Sequence, residues 1–411
     1  MQPEIVVPEP DDFVAAMTPV FQSFGMTDLD EDALSDERLL FGSARVLGAR
    51  LDGEWVGVAG DFPFEMTLPG GTTTPAAGVT MVGVAPTHRR QGLLTALMDR
   101  QLDDIADRGD AVAILTASES LIYGRFGYGW ASSRSSIAID SARSGFMVGS
   151  PTPGRCRMLG KDEALPVIQE LYDLCRPQRA GALNRDDWWW EILRRDRPSR
   201  RDGGSALFFV VHEDEHGRPD GYAVYRMKEG WNDHGVPGGS VLVREVYGTS
   251  PDTEAAVWRF LCDIDLVQRV ECWNRPLDDP LRWRMTEPRR LSTTSLSDWL
   301  WLRLLDVPAA LEARAYEGEG ELVVEVVDRF RPASGGRFRL EAGPEGAACK
   351  PTDEPADLTL GATELAAVYL GGVAPSLLAA ARRADENTAG SLARADTMFT
   401  TRKLPFANTG F

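Results

Sequence analysis

The sequence predicts a multidomain chain of mixed α/β and α+β class, in which one α/β arrangement occurs twice in tandem and a smaller α+β unit follows. Three observations carry this. At 411 residues the chain exceeds what one hydrophobic core normally serves, roughly 250 to 300 residues. A strand, turn, helix, strand succession is written across residues 77–116 and recurs less clearly across residues 207–273. Beyond residue 281 the patterning changes to shorter, mixed elements. The expected domain boundaries are 1–150, 151–290 and 291–411.

Taken in order, residues 5–25 open with a short apolar run and a helical pattern through Phe13, Met17 and Phe21. Residues 44–66 alternate as ARVLGARLDGEWVGVAGDFPFEM, a hairpin with Asp52-Gly53 at its turn. Gly70-Gly71 break the chain before a third strand at 77–84, and Pro86 ends that strand. Helical periodicity through Leu94, Leu97, Met98, Leu102 and Ile105 marks residues 91–107, and a strand follows at 111–116. Such an order implies a right-handed crossover.

In the second block, strands are predicted at 207–211, 221–227 and 240–247, a helix at 252–268 behind Ser250-Pro251, and a return strand at 270–273. Here VREVYGTSPDTEAAVWRFL occupies the place of MVGVAPTHRRQGLLTALM, without its arginines and without Gly92. The second copy is therefore predicted to be degenerate. In the last block, residues 296–314 read as an amphipathic helix pair around Pro308, residues 318–341 as two strands, and ADLTLGATELAAVYLGG as strand and helix. Phe399, Phe406 and Phe411 keep the final segment apolar, which predicts that it docks instead of fraying.

Composition narrows the function classes. Against 44 Lys and Arg stand 62 Asp and Glu, a formal charge of −18; that field repels nucleic-acid backbones and anionic headgroups and favours a cationic small molecule. Five cysteines, an odd number without CxxC spacing, fit a reducing cytoplasm better than a disulfide framework. The first residues, MQPEIVVPEPDDF, lack a basic and then apolar leader, and no apolar run is long enough to span a membrane. The four histidines lack ligand spacing, so no metal is expected, and Ser118 lacks a GxSxG setting.

Chemistry concentrates between residues 82 and 95. A strand running into Pro86-Thr87-His88-Arg89-Arg90-Gln91-Gly92 and then a helix presents free backbone N–H groups at the helix start, an anion site. Gly92 lets a pyrophosphate approach the main chain, and Arg89 and Arg90 add positive charge. Val82, Gly83 and Val84 precede it on the strand, where their backbone can pair with an extended ligand arm. After the next strand, Tyr123 stands ahead of Gly124, Gly127 and Gly129, a stretch able to turn tightly beside a ligand. A phenol there can serve as a proton donor, with Tyr128 as competitor. Asp28, Asp30, Glu31 and Asp32 form an acidic cluster that either faces a polycation or simply begins a helix.

VGVAPTHRRQGLLTALM resembles the acetyl-CoA signature of the GNAT acetyltransferases, R/Q-x-x-G-x-G/A, at Arg89, Gly92 and Leu94, with Leu94 departing from the usual small residue. Together with ASESLIYGRFGYGWAS at residues 117–132 and the aromatic last residue, it resembles the enhanced intracellular survival (Eis) family of aminoglycoside N-acetyltransferases over essentially the whole chain. The resemblance implies two GNAT-like domains, the second degenerate, and a sterol-carrier-like α+β domain. It implies acetyl-CoA as co-substrate, held by the segment from Val82 to Thr95, including Gln91, Leu93 and Leu94, and contacted by Ser118 and Glu119. It makes Tyr123 the general acid and the α-carboxylate of Phe411 the base, and implies a homo-oligomer, a hexamer.

The acceptor implied is a primary amine of an aminoglycoside-like polyamine or a lysine-bearing peptide, acetylated by direct transfer. Two alternatives stay open at this point: transfer of a longer acyl chain, as in N-myristoyltransferases, and a non-catalytic protein that sequesters an apolar ligand. Rejection of long-chain acyl-CoA separates the first from acetyl transfer, and failure to bind acetyl-CoA identifies the second.

Overall fold

A computed structural model describes residues 3–26, 28–141, 145, 153–231 and 233–411. Two compact units result, one from Met1–Ser132 together with Trp299–Phe411, the other from Ser133–Asp298. The chain thus changes unit at 132/133 and again at 298/299, where the sequence places domain boundaries at 150/151 and 290/291.

The first unit opens with β1 (Glu4–Val6), α1 (Phe13–Ser23), α2 (Glu31–Ser43), β2 (Arg45–Leu51), β3 (Glu54–Thr67), β4 (Thr73–Val84), α3 (Leu93–Asp107), β5 (Val112–Thr116), α4 (Ser120–Tyr123) and β6 (Gly129–Trp130). Asp52 and Gly53 both take positive φ, 51° and 84°, as a two-residue turn matched to strand twist requires. One face of the sheet buries Phe13, Met17, Val20, Phe41 and Val58 beneath α1 and α2. The other buries Leu93, Leu97, Met98, Leu102 and Ile105 of α3, each full burial contributing about 2 kcal/mol.

The second unit follows with β7 (Ser133–Asp140), β8 (Arg155–Leu159), α5 (Lys161–Cys175), α6 (Asp187–Arg195), β9 (Phe208–Glu213), β10 (Pro219–Lys228), β11 (Gly239–Gly248), α7 (Pro251–Cys262), β12 (Val267–Arg275), α8 (Leu281–Arg284) and β13 (Leu291–Asp298). Its sheet runs β13-β7-β12-β11-β10-β9-β8, with β11 and β12 parallel around α7. The predicted helix 252–268 is shorter than expected: α7 stops at Cys262, Leu266 turns the chain at φ 64°, and the rest belongs to β12.

The chain then returns to the first unit with β14 (Leu300–Leu304), α9 (Val307–Ala313), β15 (Gly320–Val327), β16 (Gly336–Gly343), β17 (Gly346–Pro351), β18 (Leu358–Gly361), α10 (Ala362–Tyr369), α11 (Pro375–Ala380), β19 (Ala384–Glu386) and α12 (Ser391–Phe399). Its first sheet is ordered β1-β2-β3-β4-β5-β14-β6, and a smaller one β17-β16-β15-β18-β19. The helix pair expected over 296–314 is a correction. Its first half is strand, since Leu300↔Thr116 and Leu302↔Ile114 pair β14 into the sheet beside β5. A short Leu- and Trp-rich run has no decisive period, so distant pairing decides it. Pro308 starts α9 instead of joining two helices, and Asp306 caps it by accepting from Ala309 N at 3.0 Å.

Among the described residues no helix is long and apolar enough to cross a membrane, and no group of three His, Cys, Asp or Glu side chains is placed to hold a metal ion. The five cysteines, all among the described residues, form no disulfide.

Candidate functional site

The site begins where two parallel strands part. β4 pairs with β5 at Ala76↔Val112, Ala77↔Ala113 and Gly78↔Ile114, and among the described residues no strand takes that edge of β4 further on. A bulge sits just beyond: Val58 pairs with Gly83 and Gly60 with Thr80, so Met81 and Val82 together face one residue of β3, with Met81 at φ 52°. The extra residue sharpens the local twist and turns the strand end away from its neighbour. Val82, Gly83 and Val84 lie on this freed stretch.

At the end of β4 the chain enters a short turn, Pro86–His88, and then α3. Arg90 and Gly92 take left-handed backbone, φ 63° and 82°, so Gly92 is set by conformation; a Cβ there meets nothing within 4 Å. The first intrahelical bond runs from Ala96 N to Gly92 O at 3.0 Å, which leaves the N–H groups of Leu93, Leu94 and Thr95 for a ligand. Leu93 is in the core, so its contribution is its N–H alone. Arg89, Arg90 and Gln91 are exposed, and neither arginine has an ion-pair partner among the described residues. Gly92→Ala imposes about 1 to 2 kcal/mol of left-handed strain at the start of α3, a loss of stability that chemical denaturation of the purified protein should register.

The second sheet has the same geometry with the opening filled. β11 and β12 pair as far as Val243↔Cys272 and a bulge follows at Arg244, between Val224↔Glu245 and Tyr225↔Val243. At the start of α7, however, the Ser250 hydroxyl accepts from Thr253 N at 3.1 Å, Pro251 has no N–H, and Asp252 and Glu254 bring negative charge. Arg275 binds Glu254, Asp279 at 2.5 Å and the Val246 carbonyl, and Arg284 binds Asp252 at 2.6 Å. The protein's own groups thus occupy the anion position. Beside it, Arg185 and Glu245 form a buried pair at 2.7 Å, with side chains 0% and 4% exposed. Arg185→Met takes the cation from the buried Glu245 carboxylate and should lower the stability of this unit by about 3 to 5 kcal/mol in chemical denaturation.

Tyr123 ends α4, beyond β5, and is 7% exposed. Burial, with a smaller contribution from the charge of Glu119, pushes its hydroxyl up to about 12. Ser118 and Glu119 are exposed in the connection before it. Tyr128 packs edge-on against Tyr123 with ring centroids 6.0 Å apart; burial drives its pKa well upward and its hydroxyl has no hydrogen-bond partner. The glycines nearby are a second correction. A Cβ on Gly127 collides with the Arg303 guanidinium, and one on Gly129 with the Thr363 carbonyl. Those two positions are filled by the chain's own C-terminal third, while Gly127 at φ 83° does turn the chain and a Cβ on Gly124 meets nothing within 4 Å.

Phe411 meets the same strand ends. Thr116, the last residue of β5, donates its hydroxyl to the Phe411 main-chain oxygen at 3.1 Å. The Phe411 ring lies 4.9 Å from that of Phe64, and Gly78 leaves room for both: a Cβ there stands 2.5 Å from the Phe64 ring and 3.1 Å from the Phe411 ring. Phe406 and Ala407 are buried before it, so the tail is docked. Gly78 and Thr116 therefore belong to the site, although nothing in the sequence around them marks either. The early acidic cluster is a helix start: Asp30 caps α2 by accepting from Ala33 N at 2.7 Å. His88 hydrogen-bonds Thr87, and His212 lies in the second unit, bonded to Asp220.

The chain is similar to known proteins over most of its length. Residues 7–131 and 181–304 each match an acetyltransferase (GNAT) domain family, and residues 307–407 match the sterol carrier protein domain family. An uncharacterized N-acetyltransferase of Streptomyces coelicolor is 43% identical over 357 residues, 87% of this chain and 86% of that one. N-acetyltransferase Eis of Mycobacterium tuberculosis is 36% identical over 359 residues, 86% and 85% of the two chains. The crystal structure of Eis1 from Mycobacterium abscessus superposes with a TM-score of 0.86 at 32% identity, covering 100% of both chains.

Proposed function

We propose, for a chain that belongs to the Eis family of GNAT N-acetyltransferases, that it binds acetyl-CoA at Val82–Thr95 and transfers the acetyl group directly to a primary amine of an aminoglycoside-like polyamine or a lysine side chain. One observation carries the cofactor reading: the unpaired end of β4 leads into a free helix start flanked by uncommitted Arg89 and Arg90, while the second sheet fills the same position with its own acids. When bound, acetyl-CoA supplies the thioester. The backbone of Val82–Val84 aligns the pantetheine arm, and the N–H groups of Leu93–Thr95 with both arginines hold the phosphates.

Backbone N–H near Val84 polarises the carbonyl as it gains negative charge. The carboxylate ending the chain at Phe411 takes a proton from the amine, whose lone pair forms the new C–N bond. As the C–S bond breaks, the Tyr123 hydroxyl gives its proton to the sulfur. Support for a cationic acceptor comes from the formal charge of −18 and the Phe411 oxygen held beside the parted strands. The same family resemblance supports a cytoplasmic homohexamer, which light scattering should register as six times the chain mass.

Calorimetry with acetyl-CoA, followed by thiol release with a panel of aminoglycosides and a lysine peptide, tests the reading. Absence of acetyl-CoA binding sinks it. Because burial raises Tyr123 to about 12, the acid stays protonated until the pH nears that value. The pH profile of kcat should therefore show no alkaline fall from this group below about pH 10; a descending limb near pH 8 to 9 would assign the acid elsewhere.

A further inference from the structure

We propose that Arg303, through its ion pair with Asp328, is a positioning residue for Tyr123, so that the C-terminal third of the chain holds the general acid in place. This rests on the reading of Tyr123 as that acid. Arg303 belongs to β14, where its backbone pairs with Ala113 of β5, and the residue is fully buried. One end of its guanidinium donates to the carbonyl of Phe126, in the turn that directly follows Tyr123. The other donates to Asp328 at 2.6 Å.

The partner is itself fixed. The other carboxylate oxygen of Asp328 accepts from the main-chain N–H groups of Phe330 at 3.0 Å and Arg331 at 2.8 Å. The Phe330 ring then meets Phe126 edge-on at 5.0 Å, and the Thr363 hydroxyl donates to the Gly124 carbonyl at 3.3 Å. Gly127 has no Cβ to hold the guanidinium off. Two carbonyls of the turn behind Tyr123, those of Gly124 and Phe126, are thus tied to residues at least 170 positions later in the chain.

Packing alone does not call for this arrangement. With side chains 0% and 2% exposed, the pair gains little net stability, because desolvation of both charges offsets their attraction, and an apolar pair of equal volume does as well or better. What the pair adds is direction: a planar guanidinium bridging a carbonyl and a fixed carboxylate permits one orientation of the turn. Since a misplacement of about 1 Å costs on the order of a hundredfold in rate, a proton donor on a glycine-bounded turn gains from such a clamp.

The test is a kinetic double-mutant cycle in the full-length chain, measuring thiol release from acetyl-CoA with neomycin or a lysine peptide as acceptor. Arg303→Lys should lower kcat at least about tenfold with the KM for acetyl-CoA within about twofold. In a Tyr123→Phe background the same change should add less than about twofold, since the group it positions is gone. Asp328→Asn keeps an acceptor of the same shape and should give the same pattern more weakly, which covers poor folding of the lysine variant. Equal losses with and without the Tyr123 hydroxyl, or full kcat in both single variants, overturn the proposal. Undiminished turnover by Tyr123→Phe with Arg303 intact overturns the acid assignment, and the clamp falls with it; a native chain inactive on both acceptors does the same through the site itself.

Discussion

Tyr123→Phe should lower kcat for thiol release at least about a hundredfold and leave the KM for acetyl-CoA within about twofold. Phenylalanine keeps the ring, and with it the edge-on packing against Tyr128 at 6.0 Å, so the core around α4 is preserved. Only the hydroxyl is lost. On the proposed assignment the sulfur then leaves as a thiolate with no proton donor. Tyr128→Phe is the control: its hydroxyl is buried without a partner, so removing it should leave kcat near native and stability equal or slightly higher. If the two variants exchange behaviour, the acid is Tyr128.

Extending the chain by a Gly-Ser dipeptide past Phe411 should also cost about two orders of magnitude in kcat. An extension turns the carboxylate into a neutral amide and pushes new atoms toward the parted strands, while Phe64, Gly78 and Thr116 continue to hold the ring and oxygen of Phe411. Thermal melting should change little, because the buried Phe406 and Ala407 keep the tail docked. Phe411→Ala should lose activity by a different route, through loss of the ring contact that seats the terminus. Full kcat in the extended protein would remove the carboxylate from the mechanism.

The strand, turn and helix start of the proposed cofactor segment are legible in the sequence because their cues are local. Pro86, the positive-φ glycine at 92 and the period of α3 all act within about one turn of where they stand. Tyr123 and Phe411 are partly local as well, one ahead of a glycine-rich turn and the other in an apolar tail that docks, but the roles of acid and base are implied by the family resemblance alone. β14 was misread because Leu300–Leu304 takes its strand character from β5, which lies far back in the chain. The same distance hides Arg303, and it misleads about Gly127 and Gly129, whose tight neighbours are residues of β14 and α10. Short-range chemistry shows in a sequence; long-range pairing does not.

The place of β14 in the first sheet has a consequence for biosynthesis. Until residues 300–304 emerge, β5 has a bare edge, because β6 pairs with β14 and not with β5 directly. The whole of Ser133–Asp298 is made in between, which at about 5 to 20 residues per second is on the order of ten seconds or more. The later unit can finish folding while the earlier one waits. A nascent chain or truncated product that stops short of residue 300 therefore carries β5 paired to β4 on one side and bare on the other, a template for aggregation, and the first sheet is complete only once residues 300–304 have been made.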